Sequence, residues 1–155
     1  MLEELLRIKH FREYRAALEV YRWQQVLERR KCEVDNAEAR LSEYRQYRIV
    51  RERDLFEDIK GRKVHVCHLE RMRGVISQLR ESEALLHQEI AVAKKALEEA
   101  REKWRERRRR HALAAREKEK FVQLVQIHRQ EVAMAIEKKE ETELEEYSAL
   151  IRGGR

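Results

Sequence analysis

The stretch that decides the fold is residues 69–104, LERMRGVISQLRESEALLHQEIAVAKKALEEAREKW. Leu69, Met72, Ile76, Leu79, Leu86, Ile90, Ala93, Leu97, Ala100 and Trp104 fall alternately three and four residues apart, with Glu83 the only charged member of the series. An α-helix turns once every 3.6 residues, so this spacing gathers the apolar side chains on one stripe, the heptad pattern of a helix that zips against another. Gly74 interrupts it at a cost of about 1 kcal/mol relative to alanine, too little to break so long a run.

Toward the amino terminus a second stripe runs through Ala16, Val20, Trp23, Leu27, Arg30, Val34, Ala37, Leu41 and Tyr44, and it fails at Arg48 and Arg51. No proline or glycine occurs between Leu2 and Lys60. These residues therefore predict one helix over 2–60, roughly 90 Å long at 1.5 Å per residue. Gly61 and the β-branched Val64 and Val66 then predict a turn over 61–67. A second helix follows over 68–151, and Gly153 and Gly154 mark a flexible tail over 152–155. The fold class is all-α: a long antiparallel two-helix coiled-coil hairpin with unequal arms, occupying 1–155 as one unit.

Beyond Trp104 the same frame places Arg107, His111 and Lys118 on the stripe before Phe121, Val125 and Val132 return it to apolar character, so pairing is expected to loosen there. Folding back at the turn puts Leu2 opposite roughly residue 125 and leaves 126–151 as an overhang, either frayed or bound to something.

Composition agrees with thin, exposed helices. Of 155 residues, 43% are charged and 42% hydrophobic, with no proline and four glycines. Globular domains average about a quarter charged residues, so a thick core is excluded. The 36 basic and 30 acidic residues nearly cancel, which argues against charge-driven disorder, and the remaining +6 points to an acidic partner. No stretch approaches the roughly 18 apolar residues of a membrane span, and Met1–His10 lacks the core of a signal peptide, so direct membrane insertion is not expected and the cytoplasm is the simplest location. Cys32 and Cys67 are expected as thiols.

Catalytic chemistry finds no support. Glycines at 61, 74, 153 and 154 cannot form a phosphate-cradling loop, and a two-helix hairpin offers no deep cavity in which a nucleophile meets a base, so no enzyme activity, catalytic residue or cofactor is expected. His65, Cys67 and His68 include zinc-ligand types, but their spacing matches no finger pattern and a fourth ligand is lacking, so no metal is expected. Residues 101–120 hold ten Lys or Arg and four Glu, whereas 137–146 hold two Lys and six Glu. Such opposed charge along one arm can orient a docked partner. Nucleic acid is not that partner, because a basic-region helix precedes a parallel zipper, and these arginines lie within the second arm. Tyr44 and Tyr47 either close the end of the seam or face a partner. Phe11, Tyr14, Leu18 and Tyr21 form an exposed stripe that could contact the carboxyl arm or another chain.

The chain resembles the YscO/FliJ family of small coiled-coil proteins of type III secretion and flagellar export, and is most similar to the YscO branch of injectisomes. The residues that carry the resemblance are Leu6-Arg7-Ile8-Lys9-His10-Phe11-Arg12 with Arg15-Ala16, then Tyr44, Arg53-Asp54-Leu55-Phe56, Leu69-Glu70, Ile76-Ser77-Gln78-Leu79-Arg80-Glu81, and Lys118-Glu119-Lys120-Phe121-Val122-Gln123-Leu124-Val125. The resemblance implies a non-catalytic central stalk, similar to the coiled coil of the rotary ATP synthase gamma subunit. The end bearing both termini engages and stimulates the hexameric secretion ATPase, and the other end faces the export-gate membrane protein at the inner membrane. Gate contact in the flagellar relative falls by position on Leu41, Tyr44, Val75 and Leu79. One flagellar Tyr falls at Arg48 beside Tyr47, and a flagellar Phe at the smaller Val75. Within that implied role, Arg7, Lys9, Arg12 and Arg15 are the expected ATPase-ring contact. Secretion chaperones are further partners of the family. A scaffold or chaperone-escort coiled coil without effect on ATP turnover is the alternative role.

Overall fold

In a computed structural model, residues 1–154 are described; Arg155, the last residue of the expected tail, lies outside them. The chain forms two helices, α1 (Leu2–Ile59, 58 residues) and α2 (Val66–Gly153, 88 residues), and is an all-α helical hairpin with unequal arms.

The ends of the helices follow from local chemistry. Glu3 and Glu4 in the first turn of α1 complement the partial positive charge of its amino end. At its carboxyl end, Gly61 adopts φ 77°, a left-handed conformation that disfavours residues with a Cβ. The α2 helix begins at Val66, two residues before the sequence-based boundary, because His65 caps it. The His65 ring Nδ1 accepts a hydrogen bond from the Cys67 N–H at 3.3 Å, and its carbonyl accepts one from the His68 N–H at 2.9 Å. Histidine is a poor guide to a helix start, which is why the turn reads too long from sequence. At the other end α2 runs through Gly153, and the Gly154 N–H bonds to the Leu150 carbonyl at 3.1 Å, so residues 152 and 153 are helical rather than part of a tail.

The chain divides into two compact units, residues 21–106 and residues 1–20 with 107 onward. In the first, Leu27, Val34, Ala37, Leu41, Leu79, Ile90 and Ala100 are buried, with Ala37, Leu41 and Ile90 packed together and Leu86 against them. Every one of these residues lies on the two stripes. Burying such a side chain stabilises by about 1.5–3 kcal/mol, and one seam supplies few of them.

In the second unit Val125 is buried, and Leu2, Leu6, Ala16 and Phe121 are half-buried. Where the α2 stripe turns basic, no residue between Ala100 and Val125 is buried, in line with the looser apolar pairing expected, and α1 sets acidic residues opposite. Glu19 pairs with Arg107 at 4.0 Å, and Glu13 takes both His111 at 2.9 Å and Lys118 at 3.8 Å. The series ends with Glu3 and Arg129 at 2.7 Å. From Gln126 to Gly154 every residue is exposed, as the unequal arms require.

Candidate functional site

Two surfaces carry the residues singled out from sequence, one in each compact unit.

At the end that bears the amino terminus, Arg7, Arg12 and Arg15 are exposed. The Arg15 guanidinium lies 5.8 Å from the centroid of the Phe11 ring, a cation–π arrangement on the solvent face of α1. Phe11, Tyr14 and Leu18 are themselves exposed, at 58%, 61% and 48%, so the stripe does not pack on the carboxyl arm. Lys9 behaves differently from the three arginines. It is half-buried at the seam, where its Nζ donates to Glu117 at 2.7 Å and sits 5.2 Å from the Phe121 centroid, and Arg12 acts on the same carboxylate. The structure thus leaves Arg7, Arg12 and Arg15 exposed, Arg15 beside the Phe11 ring, and holds Lys9 in the seam.

The carboxylates of this unit respond to their partners. The hydrogen bond from His111 holds Glu13 below the usual carboxylate range, with Lys118 adding to it against partial burial. Glu3 is lowered by the hydrogen bond from Arg129, and Glu117 by that from Lys9.

Near the turn, Tyr44 and Leu79 come together: the Tyr44 hydroxyl donates to the Leu79 carbonyl at 3.2 Å. Tyr44 is half-buried and its ring stands 5.8 Å from that of Tyr47, tilted by 49°. Tyr47 is 55% exposed. Leu41 and Leu79 are covered by the hairpin itself, and Val75 is half-buried against the turn. Of the five residues expected at a gate contact, the tyrosines present surface, Val75 lies at the margin, and the two leucines support them from below.

Beside the tyrosines lies an ionic cluster that sequence reasoning missed. Arg48, where the α1 stripe fails, and Glu83, the charged member of the α2 stripe, pair with each other. Arg48 also holds Glu52 at 3.2 Å, Arg45 donates to Glu83 at 3.0 Å and to His87 Nε2 at 3.2 Å, and Arg80 donates to Glu52 at 3.3 Å. The hydrogen bond from Arg45, joined by the charge of Arg48, holds Glu83 below its ordinary range despite partial burial. The signal available in the sequence was opposite charges at the two places where the stripes break.

At the turn a cavity of about 590 Å³ has Asp58, Ile59, Arg62, Lys63, Arg71, Met72 and Val75 among its lining. Among the described residues no three His, Cys, Asp or Glu side chains converge as metal ligands, and both cysteines are free and exposed. No helix is long and apolar enough to cross a membrane.

A family model, Type III secretion protein YscO, matches residues 2–150. The crystal structure of the type III secretion protein YscO from Vibrio parahaemolyticus is 35% identical to this chain, covering 94% of it and 92% of the Vibrio chain, with a TM-score of 0.85. No curated protein matches. The chain belongs to the YscO family of type III secretion proteins. That family is a structural or accessory one rather than a known family of enzymes, and its partners lie within the secretion apparatus.

Proposed function

We propose that this chain is the non-catalytic central stalk of a type III secretion system, binding and stimulating the hexameric secretion ATPase and linking it to the export gate. The observation that carries this reading is the surface of Arg7, Phe11, Arg12, Tyr14, Arg15 and Leu18, where exposed arginines and aromatics share one end of the hairpin. Arginine and tyrosine dominate the energetics of protein interfaces, and fixed charge on one side lets a stalk present unequal faces to chemically similar subunits. Acidic groups around the pore of the ring would pair with the arginines and bias closure of the ATP sites. Lys9, held by Glu117 and Phe121, would enter as a positioning residue for the helix that carries them.

The gate contact would be made by Tyr47, with Tyr44 and Val75 at its margin and Leu41 and Leu79 as supports. The protein would then act in the cytoplasm, at the cytoplasmic face of the apparatus on the inner membrane, in an injectisome that serves virulence.

A second reading, a scaffold that escorts secretion chaperones without altering ATP turnover, is favoured by the overhang of α2. Leu144, Tyr147, Leu150 and Ile151 are exposed there at 59–74%, on a helix segment that packs on nothing. Turnover by the purified cognate ATPase with and without this chain separates the two: acceleration supports the stalk, and binding without acceleration supports the scaffold.

A further inference from the structure

The turn of the hairpin carries chemistry that neither role uses. Lys60, Arg62, Lys63, Arg71 and Arg73 lie within residues 58–73 together with His65 and His68, against two acidic residues, Asp58 and Glu70. Among the described residues none of these five cations pairs with a carboxylate. The first turn of α2 holds no acidic residue that could neutralise them. Among these cations large apolar side chains face outward: Phe56 is 54% exposed, Val66 65% and Leu69 41%. The lining of the cavity here includes Ile59, Met72 and Val75 together with Arg62, Lys63, Arg71 and Asp58.

We propose that this turn is a docking surface for an anionic phospholipid bilayer. Charge complementarity selects the partner. Unpaired lysines and arginines attract phosphate headgroups without needing a fixed geometry, and apolar side chains beside them enter the headgroup–acyl boundary. The mode is peripheral, since neither helix can span a bilayer. Arg62, Lys63 and Arg71 hold phosphates, while Val66 and Leu69 immerse.

The test is co-sedimentation of the full chain with vesicles, which requires neither the ATPase nor the gate. Vesicles of phosphatidylcholine with phosphatidylglycerol should bind the chain, with affinity falling as salt rises, and pure phosphatidylcholine vesicles should not. Arg62→Ala with Lys63→Ala should weaken binding about tenfold or more, since each basic residue near an anionic surface contributes on the order of a fivefold gain. Lys138→Ala with Lys139→Ala, an equal loss of charge on the exposed overhang, should leave binding unchanged. Val66→Ser with Leu69→Ser should weaken binding to the same vesicles at unchanged helical content. Equal binding to neutral vesicles, binding to neither, or a turn variant that binds like the parent chain would overturn the proposal.

Discussion

Arg48 of α1 and Glu83 of α2, the residues at which the two apolar stripes break, form an ion pair with each other, flanked by Arg45, Glu52 and Arg80. Each charge alone in a seam is a defect; together, and hydrogen-bonded on several sides, they become a register device, because sliding one helix past the other strips Glu83 of its partners on α1 and leaves Arg48 with Glu52 alone. Replacing either with leucine should therefore destabilise the hairpin, and replacing both should cost less than the two single changes combined. A double-mutant cycle by chemical denaturation measures this coupling. Additive effects would mean that the pair does not set register.

Acid should weaken the fold. Glu3, Glu13, Glu83 and Glu117 all release their protons more readily than the ordinary 4.5 because their hydrogen-bonding cations favour the carboxylate. The unfolded chain then binds more protons than the folded one, so the stabilisation is complete above about 4.5 and is lost as pH falls through the lower folded values. Thermal melts followed by circular dichroism should show a melting temperature that is nearly level from neutrality to pH 5 and then declines.

Two glycine substitutions should act in opposite directions. Gly61 sits at φ 77°, where a Cβ is strained, so Gly61→Ala should destabilise by about 1 kcal/mol. Gly74 lies within α2 with nothing within 4 Å of where a Cβ would stand, so Gly74→Ala should stabilise by up to about 1 kcal/mol. Denaturant midpoints of the two variants give both signs directly.

Ile90→Ala removes a side chain from the cluster with Ala37 and Leu41 and should cost about 2–3 kcal/mol, at the lower end for core truncations because solvent lies close on both sides of a two-helix seam. Val132→Ala, on the exposed overhang, should leave the unfolding midpoint nearly unmoved.

The helices and their seam were legible because periodicity is a property of one chain segment: every buried residue except Val125 lies on a stripe read between Ala16 and Trp104, and Val125 follows in the same frame. What crosses between helices was not legible. That Arg48 meets Glu83, or that Glu13 and Glu19 answer the basic stretch of α2, depends on register, and register depends on a turn that ends at His65 through a cap no composition rule anticipates. The same limit applies to Lys9. Its charge resembles that of Arg7, Arg12 and Arg15, but its place on the helix puts it in the seam against Glu117. Likewise Leu41 and Leu79 could be recognised as apolar, while their coverage by the opposite helix could not.

The central claim is that the arginine face of α1 drives ATP turnover by the secretion ATPase. The direct measurement is the hydrolysis rate of the purified cognate ATPase against added chain, for the parent and for Arg12→Glu with Arg15→Glu. The parent should accelerate hydrolysis, and the double reversal should need about tenfold more protein for half-maximal effect while becoming more sensitive to salt, with helical content unchanged. No acceleration by the parent, or equal acceleration by the reversed chain, would contradict the account.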